Sequence, residues 1–143
     1  MVEVYVGMSG FTKSGFSERN LSTMNRLLKI AVAVSLGWNV VLVLGVIANQ
    51  GFASTRAAGG QFDQFPVEIR IVYLLNLAVV IYQAIVLFTA TQRSQLVVKS
   101  IFVLSILSVI VNAFSRTAAE RWNAIPAAII AYAFYREVKS RKV

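Results

Sequence analysis

The chain has no cysteine and no histidine, only two prolines in 143 residues, and six acidic side chains against fourteen basic ones. Without thiols and imidazoles, thiolate and histidine metal sites, histidine-ligated haem, cysteine-ligated iron–sulfur clusters and disulfide exchange are excluded. The commonest general base and the strongest nucleophile are missing too. The carboxylates are Glu3, Glu18, Asp63, Glu68, Glu120 and Glu137. None sits in the middle of an apolar run, where a proton relay would need one. The composition therefore argues against an enzyme, a cofactor or a bound metal. Glu68 or Glu120 beside an arginine could do acid–base work, but capping accounts better for Glu120.

Apolar residues are what the chain has in abundance. Hydrophobic residues make up 57% of it, mean hydropathy is +0.69, and soluble domains average about 45–50% apolar. Four runs, 30–48, 71–90, 96–114 and 122–138, carry no charge near their centres. A helix rising about 1.5 Å per residue needs roughly 20 apolar residues to cross a hydrocarbon core near 30 Å thick. The first three runs meet that length and the fourth comes close. Stretches such as Val40-Val41-Leu42-Val43-Leu44 lack the alternation of a β-barrel strand. The reading is an all-α integral membrane four-helix bundle, antiparallel and up-down-up-down, with spans at about 27–49, 68–91, 95–115 and 119–138. Together these form one domain, 24–143. Residues 1–23, rich in Gly, Ser and Thr, read as a mobile cytoplasmic tail. Met24, followed by Asn-Arg-Leu-Leu-Lys, resembles an ordinary start, so Met1 and Met24 both stand as candidate starts. The first run is longer than the roughly 7–15 residues of a cleaved signal core.

A net charge of +8 invites a nucleic-acid reading, but its distribution points elsewhere. Lys13, Arg19, Arg26, Lys29, Arg93, Lys99, Arg136, Lys139, Arg141 and Lys142 fall on one side of the spans. Arg56, Arg70, Arg116 and Arg121 fall on the other. Cytoplasmic loops are enriched in Lys and Arg, so both termini are expected in the cytoplasm of a multi-pass cell-membrane protein. The basic side would touch anionic lipids, and no nucleic-acid partner is expected.

The connection 49–66 is the longest and holds Gly51, Gly59, Gly60 and Pro66. It is expected to be a plain flexible link rather than a partner-binding loop. The other two connections are short, which places successive helices side by side. Thr117 and Glu120 have capping-box spacing, so the fourth helix should start there, with the glutamate reaching back to the cap. Pro126 would then fall in the second turn and kink it.

Polar residues inside the runs recur at helical spacing. They are Ser35, Asn39 and Asn49; Tyr73, Asn76 and Gln83; Ser105, Ser108, Asn112 and Ser115; and Glu120 with Asn123. Offsets of three, four and seven share a face, and such faces turn from lipid because an unpaired amide in hydrocarbon is costly. A polar intramembrane cluster of Asn39, Tyr73, Asn76, Gln83, Asn112 and Asn123 follows. Glu68, Arg70, Arg116, Glu120 and Arg121 form a charged cluster at the outer face. Ala33 with Gly37, and Ala124, Ala127, Ala128 and Ala131, suit close helix contact. Trp38 is expected to pack or face lipid, Trp122, Tyr132 and Tyr135 to lie near interfaces, and Lys99 to snorkel.

The run Asn112-Ala113-Phe114-Ser115-Arg116-Thr117-Ala118-Ala119-Glu120-Arg121-Trp122-Asn123-Ala124-Ile125-Pro126 resembles an element of small four-span bacterial integral membrane proteins of uncharacterised function. Those carry Ser-Arg-Ser/Thr-x-x-Glu-Arg and a Trp before the last helix. Here Trp122 follows the arginine directly and Asn123 replaces an apolar residue. The resemblance implies architecture and supplies no activity. The expected function is a non-enzymatic accessory or structural membrane subunit acting through helix–helix contacts, as a homo-oligomer or with a membrane-protein partner. The alternative is an oligomeric transporter or channel subunit for a small solute or ion, using the outward-opening polar cluster.

Overall fold

The computed structural model describes residues 24–89 and 93–140. The tail assigned to residues 1–23 lies outside them. Among the described residues there is no strand. Helices α1 (Arg26–Ile47), α3 (Val67–Phe88) and α4 (Gln95–Ala113) are each long and apolar enough to cross a membrane. A fourth long helix, α6 (Ala124–Ser140), has 17 residues and carries Arg136, Glu137 and Lys139 near its end. Two single-turn helices, α2 (Gly51–Ser54) and α5 (Ala118–Arg121), occupy the connections.

Local chemistry sets where the helices begin. The side chain of Asn25 accepts from the Leu28 N–H at 2.9 Å, and the Ser94 hydroxyl accepts from the Val97 N–H at 3.3 Å. Each satisfies a donor that the first turn leaves open. Thr117 accepts from the Glu120 N–H at 3.1 Å, as its spacing predicts. Two details differ from the expected capping box. The helix begun at Thr117 is the short α5, and the fourth long helix starts at Ala124. The Glu120 carboxylate does not turn back to the cap; it accepts from the Gly59 N–H and the Ser115 hydroxyl. Pro126 consequently sits in the first turn of α6, where its missing N–H breaks no helical bond and no kink is required.

Packing does not follow chain order. The α4–α6 pair is the most extensive, and α1 lies against both α3 and α6. By contrast α3 and α4, neighbours in sequence, meet only lightly, against the side-by-side expectation. Ala127 and Ala131 are buried on α6 and let neighbouring backbones approach; α3 offers no comparable small-residue stripe. One core joins the four long helices through Val32, Leu36, Val80, Val98, Ile130 and Phe134. A second, smaller one gathers Val46, Ala53, Ala57 and Phe65 beneath the long connection.

That connection is folded, which corrects the reading of it as a flexible link. Asn49 accepts from the Phe65 N–H at 2.7 Å, and the Tyr73 hydroxyl accepts from the Ala58 N–H at 3.2 Å. Thr117 donates to the Thr55 carbonyl at 2.9 Å. Gly59 and Gly60 take positive φ of 70° and 65°, a conformation open to glycine at little cost. The small-residue contact also moves. A Cβ on Gly37 would meet nothing within 4 Å, whereas one on Gly45 would lie 2.5 Å from the Phe52 ring.

Candidate functional site

Polar side chains gather in two places. The first is the cleft between α3 and α4, where a cavity of about 210 Å³ is lined by Asn39, Asn76, Gln83, Ser105 and Ser108 among apolar neighbours. Gln83 is buried and donates to the Ser105 hydroxyl at 3.3 Å, a side-chain bond between these two helices. Ser105 in turn donates to the Ile101 carbonyl at 2.8 Å. Asn39 donates to the Ser35 carbonyl at 2.9 Å, within its own helix. Asn76 stands about ten residues into α3, roughly 14 Å along its axis. It is exposed, and no hydrogen-bond partner meets it among the described residues. Ser108 is exposed as well, and half-buried Asn112 donates to the Ser108 carbonyl at 2.8 Å.

The second place is the end of the molecule where the long connection meets α5. Tyr73 serves there rather than in the cleft, through its bond to Ala58. Glu120 is only 7% exposed, and its two accepted bonds offset the cost of burying a carboxylate. Arg70 donates to the Ile47 carbonyl at 2.6 Å, closing the last turn of α1. Arg121 donates to the Ser115 carbonyl at 2.8 Å, while Glu68 and Arg116 are exposed. The charged residues thus share one end of the molecule without forming ion pairs among the described residues; Arg70 and Arg121 bond to backbone carbonyls, and Glu120 to one backbone N–H and the Ser115 hydroxyl.

Asn123 leaves the polar stripe altogether. Buried at the start of α6, it accepts from the Trp38 indole N–H at 3.0 Å and donates to the Arg56 carbonyl at 2.9 Å. The Arg56 guanidinium lies 5.8 Å above the Trp38 ring, within cation–π range. Beside them an open groove of about 370 Å³ runs between α1 and α6. Sequence reasoning counted Arg56 only among the outer-side charges and left Trp38 to pack or face lipid. Trp38 stands three residues after Ser35, so helical spacing could have placed it beside the buried polar face. No local signal could have brought Arg56 there, because its place depends on how the connection folds.

The second place joins a hydroxyl to a carboxylate, Ser115 to Glu120, and among the described residues no group of three or more acidic side chains converges. What both can do is bind through hydrogen bonds, a cation and apolar surface. No protein-family model, curated protein or solved structure matches the chain.

Proposed function

We propose that this chain is a non-enzymatic four-span membrane subunit that associates with another membrane protein chain through its α3–α4 face. The observation that carries the reading is Asn76, an exposed amide at the middle of an apolar helix, at the open α3–α4 cleft, with no hydrogen-bond partner among the described residues. Left against lipid, such a group costs several kcal/mol, on the order of 2–7, whereas a partner helix can satisfy it. Exposed Ser108 and half-buried Asn112 line the same side, and α4 buries only Val98, Ile101 and Ser105. The two ends of the described chain also differ in charge. Arg26, Lys29, Arg93, Lys99, Arg136 and Lys139 with Glu137 stand at the end where α1 begins and α6 finishes. Four arginines with Asp63, Glu68 and Glu120 stand at the other. That asymmetry supports a cell-membrane orientation with both termini in the cytoplasm.

The test uses single cysteines at Asn76 and Ser108, crosslinked in native membranes. Crosslinks to a second copy or to a co-isolating membrane protein, weakened by Asn112→Leu, are the expected result. A lone monomer at every crosslinker length would end the reading. The partly open cleft of about 210 Å³, with five polar side chains among its lining, favours one further reading, a solute or ion route completed in an oligomer. In liposomes, flux that is lost in Gln83→Leu would bring that reading forward.

A further inference from the structure

The groove between α1 and α6 combines features that no helix-packing role requires. Its walls are Val34, Ile125, Pro126 and Ile129, with Trp122 at the rim. Val34, Trp122 and Ile125 are 67%, 68% and 52% exposed, so the walls are open to the surroundings of the spans. At one end stands Arg56, half-buried over Trp38. Its guanidinium has no carboxylate and no hydrogen-bond acceptor among the described residues. Asn123 anchors the Arg56 backbone carbonyl with one end of its amide and the Trp38 indole with the other, which sets the base of the Arg56 side chain beside the ring it lies over. A weakly hydrated planar cation with free donors is suited to a phosphate oxygen pair. Below it the groove is apolar and lies along the hydrocarbon-facing length of two helices. Its volume falls within the range of small-molecule sites.

We infer that this groove is a phospholipid site, with the headgroup phosphate on Arg56 and the upper acyl chain against Val34, Ile125, Pro126 and Ile129. Charge complementarity sets the polar end and membrane-facing apolar walls set the other. A free phosphate would use the first and leave the second uncovered. This site rests on the membrane reading and is independent of the α3–α4 face, so either can fail without the other.

The chain supplies its own probe, since its two tryptophans, Trp38 and Trp122, both line the groove. Delipidated full-length protein in mild detergent is titrated with phosphatidylglycerol brominated on the upper acyl chain, and tryptophan quenching is followed. Saturable quenching is expected, with affinity about tenfold weaker in Arg56→Gln and unchanged in Arg116→Gln. Brominated diacylglycerol, which lacks the phosphate, should bind wild type no better than phosphatidylglycerol binds Arg56→Gln. Val34→Phe, a change at an exposed wall position, keeps Arg56 but fills the groove, and should also weaken quenching at an unaltered melting temperature. Equal quenching of wild type and Arg56→Gln by both lipids would reduce the groove to ordinary lipid contact and overturn the proposal. Displacement of the lipid by millimolar inorganic phosphate would overturn it in favour of a soluble anion.

Discussion

At the scale of single residues, position in space separates side chains that look equivalent in sequence. Gly37 and Gly45 both interrupt α1, yet only Gly45 is approached, by the Phe52 ring. Gly45→Leu should therefore destabilise the protein by about 1–3 kcal/mol through overpacking. Gly37→Leu should stay within about 0.5 kcal/mol, as exposed changes usually do. Melting both variants in one detergent checks the pair, and equal losses would contradict the contact. Asn112 and Asn123 part in the same way. Asn123→Leu leaves the Trp38 N–H and the Arg56 carbonyl unpaired, at about 1–3 kcal/mol for each buried group. Asn112→Leu removes bonds only within its own helix and should cost about 0.6 kcal/mol. Because the two share no partner, their effects should add to within about 0.5 kcal/mol in the double variant. A non-additive cycle would reveal a network that the geometry does not contain.

At the scale of elements, the informative unit is the connection between α1 and α3. It folds as α2, a 3-10 turn and an irregular return segment, with residues 55–59 anchored by side chains from elsewhere: Tyr73, Thr117, Glu120 and Asn123. Glu120 is the longest-range of the carboxylate ties, joining α5 to the turn at Gly59. Replacing it by alanine removes an acceptor from both Gly59 and Ser115. The connection should then open more often, exposing Ala57, which is 1% exposed. In a chain without native cysteine, Ala57→Cys reports this directly. Its maleimide labelling should be slow alone and at least several-fold faster alongside Glu120→Ala. Identical rates would mean that the carboxylate does not hold the connection down.

At the scale of the whole molecule, the end-to-end contacts bind the topology together. Thr117 bonded to Thr55, and Glu120 bonded to Gly59, require the long connection and α5 to lie on the same side of any membrane. With the positive-inside orientation, cysteines at exposed Gln61 and Ala118 should react with an impermeant reagent outside intact cells. Those at exposed Ser94 and Ser140 should react only after permeabilisation. Reversed labelling would overturn the orientation, and labelling of Gln61 and Ala118 from opposite sides would overturn the fold.

Helix type, and the extent of the three long apolar helices α1, α3 and α4, followed from the sequence alone, because in hydrocarbon a backbone has little choice but to bond internally and an apolar run of set length declares itself; the start of α6 did not. The cap at Thr117 was equally local, since a hydroxyl reaches only three residues along. The polar stripe was legible as a face but not as a set of contacts. Periodicity says which side of a helix a residue occupies and nothing about which helix stands opposite, so Asn76, Gln83 and Ser105 came to one cleft while Tyr73 and Asn123 went elsewhere. Only the tertiary structure decided that α6 rather than α3 would lie closest to α4, that the long connection would fold, and that Arg56 would stand over Trp38. Those outcomes depend on matching surfaces far apart in the chain, and no local pattern encodes a match between two distant surfaces.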